Sequence, residues 1–144
     1  MRASEALLDM VVAPASRRAR IVPSSRLIEL RPHSVPWSSI AAFSTRLGIE
    51  PSALLRIIGI SERTAIRRKA EGYLKPDEAD RLLRVGRIFE EATRVLGAED
   101  RAAGWLGNPH PMFSGATPLS FLDSDAGAQA VSEELGRIDY GIFA

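Results

Sequence analysis

From about residue 34 onward, apolar side chains recur at steps of three and four, the spacing that gathers them on one face of a helix. SVPWSSIAAFSTRLG (34–48) puts Trp37, Ile40, Ala41, Ser44 and Leu47 on such a stripe, with Phe43 at its margin. Ser34 is the predicted cap, Pro36 lies in the first turn, and Gly48 is the stop. EPSALLRIIG starts a second helix at Pro51 and ends it at Gly59, with Leu54, Leu55 and Ile58 inward. ISERTAIRRKAEG starts a third at the cap Ser61 and stops at Gly72. Only Ala65, Ile66 and Ala70 suit burial there; Glu62, Arg63, Thr64, Arg67, Arg68, Lys69 and Glu71 form its polar side.

KPDEADRLLRVGRIFEEATRVLG predicts a long helix that opens at Pro76 and closes at Gly97. Asp77 and Glu78 complement its positive N-terminal end. Leu82, Val85, Phe89, Ala92 and Leu96 make one stripe, widened by Leu83, Ile88 and Val95. A stripe that wide implies burial against more than one neighbour. A short helix follows over 99–106, and a last one over 124–135 with Ser124 or Asp123 as cap. No segment shows the alternation of a strand, so the fold class is all-α.

Two stretches stand outside this periodicity. Residues 1–33 carry Pro14, Pro23 and Pro32 among serines and arginines and are read as a flexible basic arm. WLGNPHPMFSGATPLSFL (105–122) is apolar and rich in proline and glycine, with His110 as its one titratable group.

The 144 residues suffice for one core, or for two small helical modules sharing one. The division read from the pattern is an arm at 1–33, a helical module at 34–75 and a second helical part at 76–144. The net charge of +1 conceals a strong asymmetry. Residues 1–75 hold thirteen Arg and Lys against six acids, and residues 97–144 hold two against seven. Such a split points to two surfaces and two partners. The competing reading is ordinary variation in solvated charge. The chain has no cysteine, which excludes disulfides, thiolate metal sites and cysteine catalysis and fits a cytoplasmic location. No apolar run approaches the ~20 residues of a membrane helix, and 6–15 is too short and too acidic for an anchor or leader.

The run GIEPSALLRIIGISERTAIRRKAEG is two short helices joined at Gly59-Ile60-Ser61, the outline of a helix-turn-helix. The second helix of that motif shows polar side chains to base edges and phosphates while its other side packs inward. Ser61, Arg63, Thr64, Arg67, Arg68 and Lys69 are therefore the candidate DNA-binding residues. A helix face kept polar for solubility is the alternative.

Trp105-Leu106, Asn108-Pro109, Gly115 to Leu122 (GATPLSFL), Ser124 to Ala128 (SDAGA) and Leu135 to Gly141 (LGRIDYG) form an ordered set of spaced motifs. Through them residues 73–144 resemble the toxin-binding domain of Xre/MbcA/ParS-type antitoxins, which are paired with RES-domain toxins. The upstream helices resemble the family's Xre-like DNA-binding part. The match covers roughly residues 36–144, with Met112-Phe113 and His110 as local departures. The resemblance implies a RES-domain toxin as partner, with an ADP-ribosyltransferase-like fold and an NAD cleft that the antitoxin's C-terminal part covers. It also implies binding to the operon's own promoter. The helix-turn-helix itself calls for a homodimer on paired half-sites, and no cofactor is expected. Glu133, Glu134 and Asp139 are expected at the rim of a cationic cleft, with Arg137, Tyr140 and Phe143 as contact anchors. Trp105, Leu119 and Leu122 are expected in the core.

The alternative from a different class is a stand-alone helix-turn-helix regulator whose second domain only dimerises. An enzyme is not expected. His33 and His110 each stand alone among prolines, and no nucleophile elbow, H-E-x-x-H or phosphate loop occurs. Asp123 and Asp125 read as capping residues and no metal site is expected.

Overall fold

The periodic stretches do become helices. A computed structural model describes residues 35–141. The expectations for the arm and for Ser34 and Phe143 lie outside those residues. Among the described residues there are six α-helices: α1 Ser39–Leu47, α2 Pro51–Ile57, α3 Glu62–Glu71, α4 Pro76–Leu96, α5 Glu99–Gly107 and α6 Asp125–Asp139. Two 3-10 turns, Pro111–Phe113 and Pro118–Asp123, fold the segment between α5 and α6. The class is all-α, with one isolated antiparallel bridge between Pro36 and Tyr73.

That bridge corrects the first boundary. Pro36 does not open a helix. The Trp37 amide donates to the Gly72 carbonyl (2.9 Å) and the Leu74 amide donates to Val35 (3.0 Å). The chain entering α1 is thus held against the chain leaving α3, and α1 begins only at Ser39. The stripe of α1 is also rotated from expectation. Phe43 is fully buried and Ala41 is exposed. Ser44 tolerates burial because its hydroxyl donates to the Ile40 carbonyl.

Helix α4 is the spine. It packs against α5, α6 and the 118–123 turn, while α1 packs on α2 and α5. Leu82, Val85, Phe89 and Ala92 of α4 join Phe43, Leu54, Ile58, Leu106, Leu122, Val131 and Leu135 in a single apolar cluster. The helix-turn-helix half and the C-terminal half therefore share one core. Each buried Leu, Ile, Val or Phe there contributes roughly 1.5–3 kcal/mol from removal of apolar surface from water. The wide α4 stripe is consumed inside the chain, as a helix with several neighbours requires. Arginines of α4 tie the C-terminal half down further. Arg84 pairs with Asp125 at 2.8 Å and Arg94 with Asp139 at 3.2 Å.

The proline-rich stretch is a folded part of this core. Trp105, Phe113 and Phe121 form an edge-on aromatic series, with ring centroids 6.2 Å and 5.0 Å apart. The Nε2–H of His110 donates to the Trp105 carbonyl at 2.8 Å, since a carbonyl only accepts. Phe113, Leu119 and Leu122 are buried and Trp105 is half-buried against them. The last helix starts where Ser124 accepts from the Gly127 amide and runs four residues past the expected end at 135. Gly127 is demanded by close approach: a Cβ there would lie 1.8 Å from the Phe121 carbonyl oxygen.

Candidate functional site

Helix α2 ends at the Ile58–Gly59–Ile60 turn. Gly59 adopts φ +73°, a conformation that glycine reaches without a side-chain clash. The Ile60 amide closes back onto Leu55 (2.9 Å), and Nε of Arg81, on α4, donates to the Ile58 carbonyl (2.6 Å). The turn is thereby fixed from two sides. Ser61 then starts α3 by accepting from the Thr64 amide and donating to the Thr64 hydroxyl at 3.0 Å. These two candidate DNA residues are engaged with each other, and their first task is to cap the helix.

The face of α3 differs from the one read in the sequence. Ile66 is 74% exposed and Ala70 is also exposed, although both were expected inside. Arg68, expected on DNA, is only 5% exposed and points inward. Its Nε donates to Glu78 Oε1 at 2.8 Å, and Glu71 lies 3.6 Å from its Nη1. Its hydrogen bond to Glu78 pushes the Arg68 guanidinium above its ordinary range, with burial opposing. Glu78 simultaneously accepts from the Lys75 amide at 2.8 Å and so caps the start of α4. Arg68 is thus a strut between α3 and α4 and leaves the DNA-contact set. Only Ala65 among the apolar residues of α3 packs on the core. Arg63, Arg67 and Lys69 remain exposed on the outer side.

The C-terminal candidates separate in the same way. Glu134 is only 7% exposed and accepts from Arg137 Nη1 at 2.7 Å. A carboxylate buried and paired cannot line a partner's rim, so that expectation is corrected. Asp139 is joined to Arg94, as described above. Glu99, Asp125, Glu134 and Asp139 all pair with arginines of this chain, so much of the acidic surplus is spent internally. Glu133 is exposed, the Arg137 side chain is 61% exposed despite its pair, and Tyr140 is 82% exposed.

One group escaped sequence reasoning. Glu90, in the middle of α4, has a buried Oε1 without a hydrogen-bond partner. Burial pushes its carboxyl up to about 7, against the pull of Arg46 and Arg87. Its position between two arms of the wide α4 stripe was the available signal. Among the described residues no cluster of His, Asp and Glu could hold a metal ion. No helix of those residues is long and apolar enough to cross a membrane.

A short helix, a glycine turn and an outward cationic helix define a helix-turn-helix DNA-binding protein with an appended helical domain. The comparisons with known proteins place it further. The Antitoxin Xre-like helix-turn-helix domain matches residues 26–87, and the Antitoxin Xre/MbcA/ParS C-terminal toxin-binding domain matches 91–141. The two matches meet within α4. Antitoxin Xre of Yersinia enterocolitica is 28% identical, over 98% of this chain and 93% of its own length. Antitoxin Xre of Photorhabdus laumondii is 37% identical over 63% of each chain. A Sphingobium protein named Prs ADP-ribosylating antitoxin is 24% identical over 76% of each. The chain belongs to the Xre/MbcA/ParS-type antitoxin family, a non-enzymatic regulatory component of a toxin–antitoxin system.

Proposed function

We propose that this chain is the antitoxin of a type II pair and neutralises a RES-domain toxin by covering its NAD cleft with its C-terminal end. The observation that carries the reading is Tyr140. Ala128, Val131 and Leu135 of α6 lie in the shared core, yet this aromatic side chain is 82% exposed at the helix end. It falls within the residues that match the toxin-binding domain. A large exposed aromatic beside an arginine is the composition of an interface anchor. Arg137 and Glu133 flank it on the same helix, and Phe143 follows it in sequence. The name of the Sphingobium relative, which couples an antitoxin to ADP-ribosylation, is consistent with a toxin that acts on NAD.

The same proposal gives α3 the operon's own promoter, with Arg63, Arg67 and Lys69 as the contacts and Ser61 and Thr64 capping the helix beneath them. The division into an arm at 1–33, a DNA part at 34–75 and a toxin-binding part at 76–144 belongs to this reading. Binding to paired half-sites calls for a homodimer. Because the α4 stripe is buried internally, the two copies meet through another surface or only on DNA.

The test is removal of residues 140–144. This leaves the Arg137–Glu134 and Arg94–Asp139 pairs intact, which a cut at 136 would destroy. Loss of protection in cells expressing the toxin, with promoter binding retained, is the expected result. A truncated chain that still protects overturns the proposal.

A further inference from the structure

The inward turn of Arg68 fixes which residues face away from the body. At about 100° per residue, the pole opposite Arg68 falls between Ile66 and Ala70, with Arg63 beside them. Arg67 and Lys69 lie about 80° to either side of that pole. The outer face of α3 is therefore an apolar ridge between two cationic flanks. Ile66 is its largest member at 74% exposure, and among the described residues it is not part of the core.

Ile66 is the one large apolar side chain on this face; apart from Ala70, what surrounds it is charged. Glu62, Arg63, Arg67 and Lys69 are its neighbours. A protein partner with an apolar groove would have to desolvate those flanking charges. A DNA major groove fits both features. Its walls are phosphates, which suit Arg67 and Lys69, and the one apolar group on its floor is the C5-methyl of thymine.

Resting on the reading of α3 as the promoter-binding helix, we propose that Ile66 is a specificity-determining residue that packs on a thymine methyl in each half-site. Arg63, one step toward the helix N-terminus on the same ridge, faces the adjoining base pair, where its fork suits guanine. Ile66 then supplies discrimination while Arg67 and Lys69 supply sequence-independent grip.

The experiment uses the full chain and duplex DNA from immediately upstream of its coding sequence. The duplex is made once with thymine and once with uracil, which differs only by the methyl group. The wild-type chain is expected to bind the uracil duplex about 4-fold more weakly per half-site, the factor that one buried methyl-sized group gives. Ile66→Ala should bind the thymine duplex at the level at which wild type binds uracil, and should not distinguish the two. Because Ile66 is exposed, its melting curve should be unchanged, which separates lost contact from lost fold. Steep salt dependence without thymine–uracil discrimination by wild type overturns this assignment and leaves α3 as a DNA-binding helix. Equal discrimination by wild type and Ile66→Ala overturns it too. Absence of salt-dependent binding to the thymine duplex removes the DNA reading and this inference with it.

Discussion

Helices α3 and α6 are both amphipathic surface helices, yet they are attached by opposite means. Helix α6 buries Ala128, Val131 and Leu135 in the common core, and its start is fitted to the Phe121 carbonyl through Gly127. Helix α3 buries no large apolar residue at all. It is held by the Ser61 cap, the Ala65 contact and the Arg68–Glu78 pair, while its isoleucine faces solvent. The difference explains how each can serve a partner. A helix fastened by polar struts along one line keeps its whole outer face available, as insertion into a groove requires. Helix α6 gives its inner side to the core and leaves a partner its outer residues Glu133 and Arg137 and the exposed Tyr140 at its end.

The comparison breaks most visibly at the struts. Glu78→Ala removes the partner of a buried guanidinium and the acceptor for the Lys75 amide, so unfolding in urea should show a loss of about 3–5 kcal/mol. A loss below 1 kcal/mol would mean that α3 is held by something else. Gly127→Ala should cost about 3 kcal/mol, because a Cβ meets a backbone oxygen that cannot swing aside. The same denaturation measurement checks it, and toxin neutralisation should fall with stability.

Smaller changes sharpen the division of labour. Tyr140→Ala should weaken toxin binding by about 2 kcal/mol, the scale of an exposed aromatic anchor, and leave the melting temperature unchanged. Arg67→Ala should weaken promoter binding about equally for every sequence and lower the salt slope by about one. Titration calorimetry and filter binding read these two effects separately.

The smallest effect is one of pH. The native chain keeps the Glu90 proton up to about pH 7, whereas an unfolded chain releases it near the ordinary value of 4.5. The raised value therefore leaves the fold at full stability below 4.5, and stability declines as the pH rises through 7. Solvent at this half-buried site limits the effect to about 1 kcal/mol. Glu90→Gln should be more stable than wild type at pH 8 and no more stable at pH 5, as thermal melts at the two values would show.

The helices were legible because their punctuation is strong. Gly48, Gly59, Gly72 and Gly97 each stop a helix, and Pro51 and Pro76 each begin one. Two boundaries were not. Pro36 looked like a helix opener because the contact that overrides it, with Tyr73, is far along the chain. The last helix continues past Leu135 because the Arg137 and Asp139 pairs support turns that look too polar for burial. The outer face of α3 was half legible. Arg63, Arg67 and Lys69 were read outward, as they are found. Arg68 and Ile66 exchanged places because hydropathy ranks isoleucine inside, while a buried carboxylate from the next helix rewards an arginine there. Glu78, at the third position of a helix beginning after Lys75, was the visible clue. Glu133, Glu134 and Asp139 were read as one acidic group, but only three-dimensional pairing shows which are already spent.

The central claim is that a helix face and a helix end serve two partners independently. The most direct test is a crossed assay of two variants, Arg63→Ala/Arg67→Ala and a chain lacking 140–144, each measured for promoter binding and for toxin neutralisation. The account requires the first to lose promoter binding alone and the second to lose neutralisation alone. If either variant loses both, or the truncated chain loses neither, the two surfaces are not the separate devices described here.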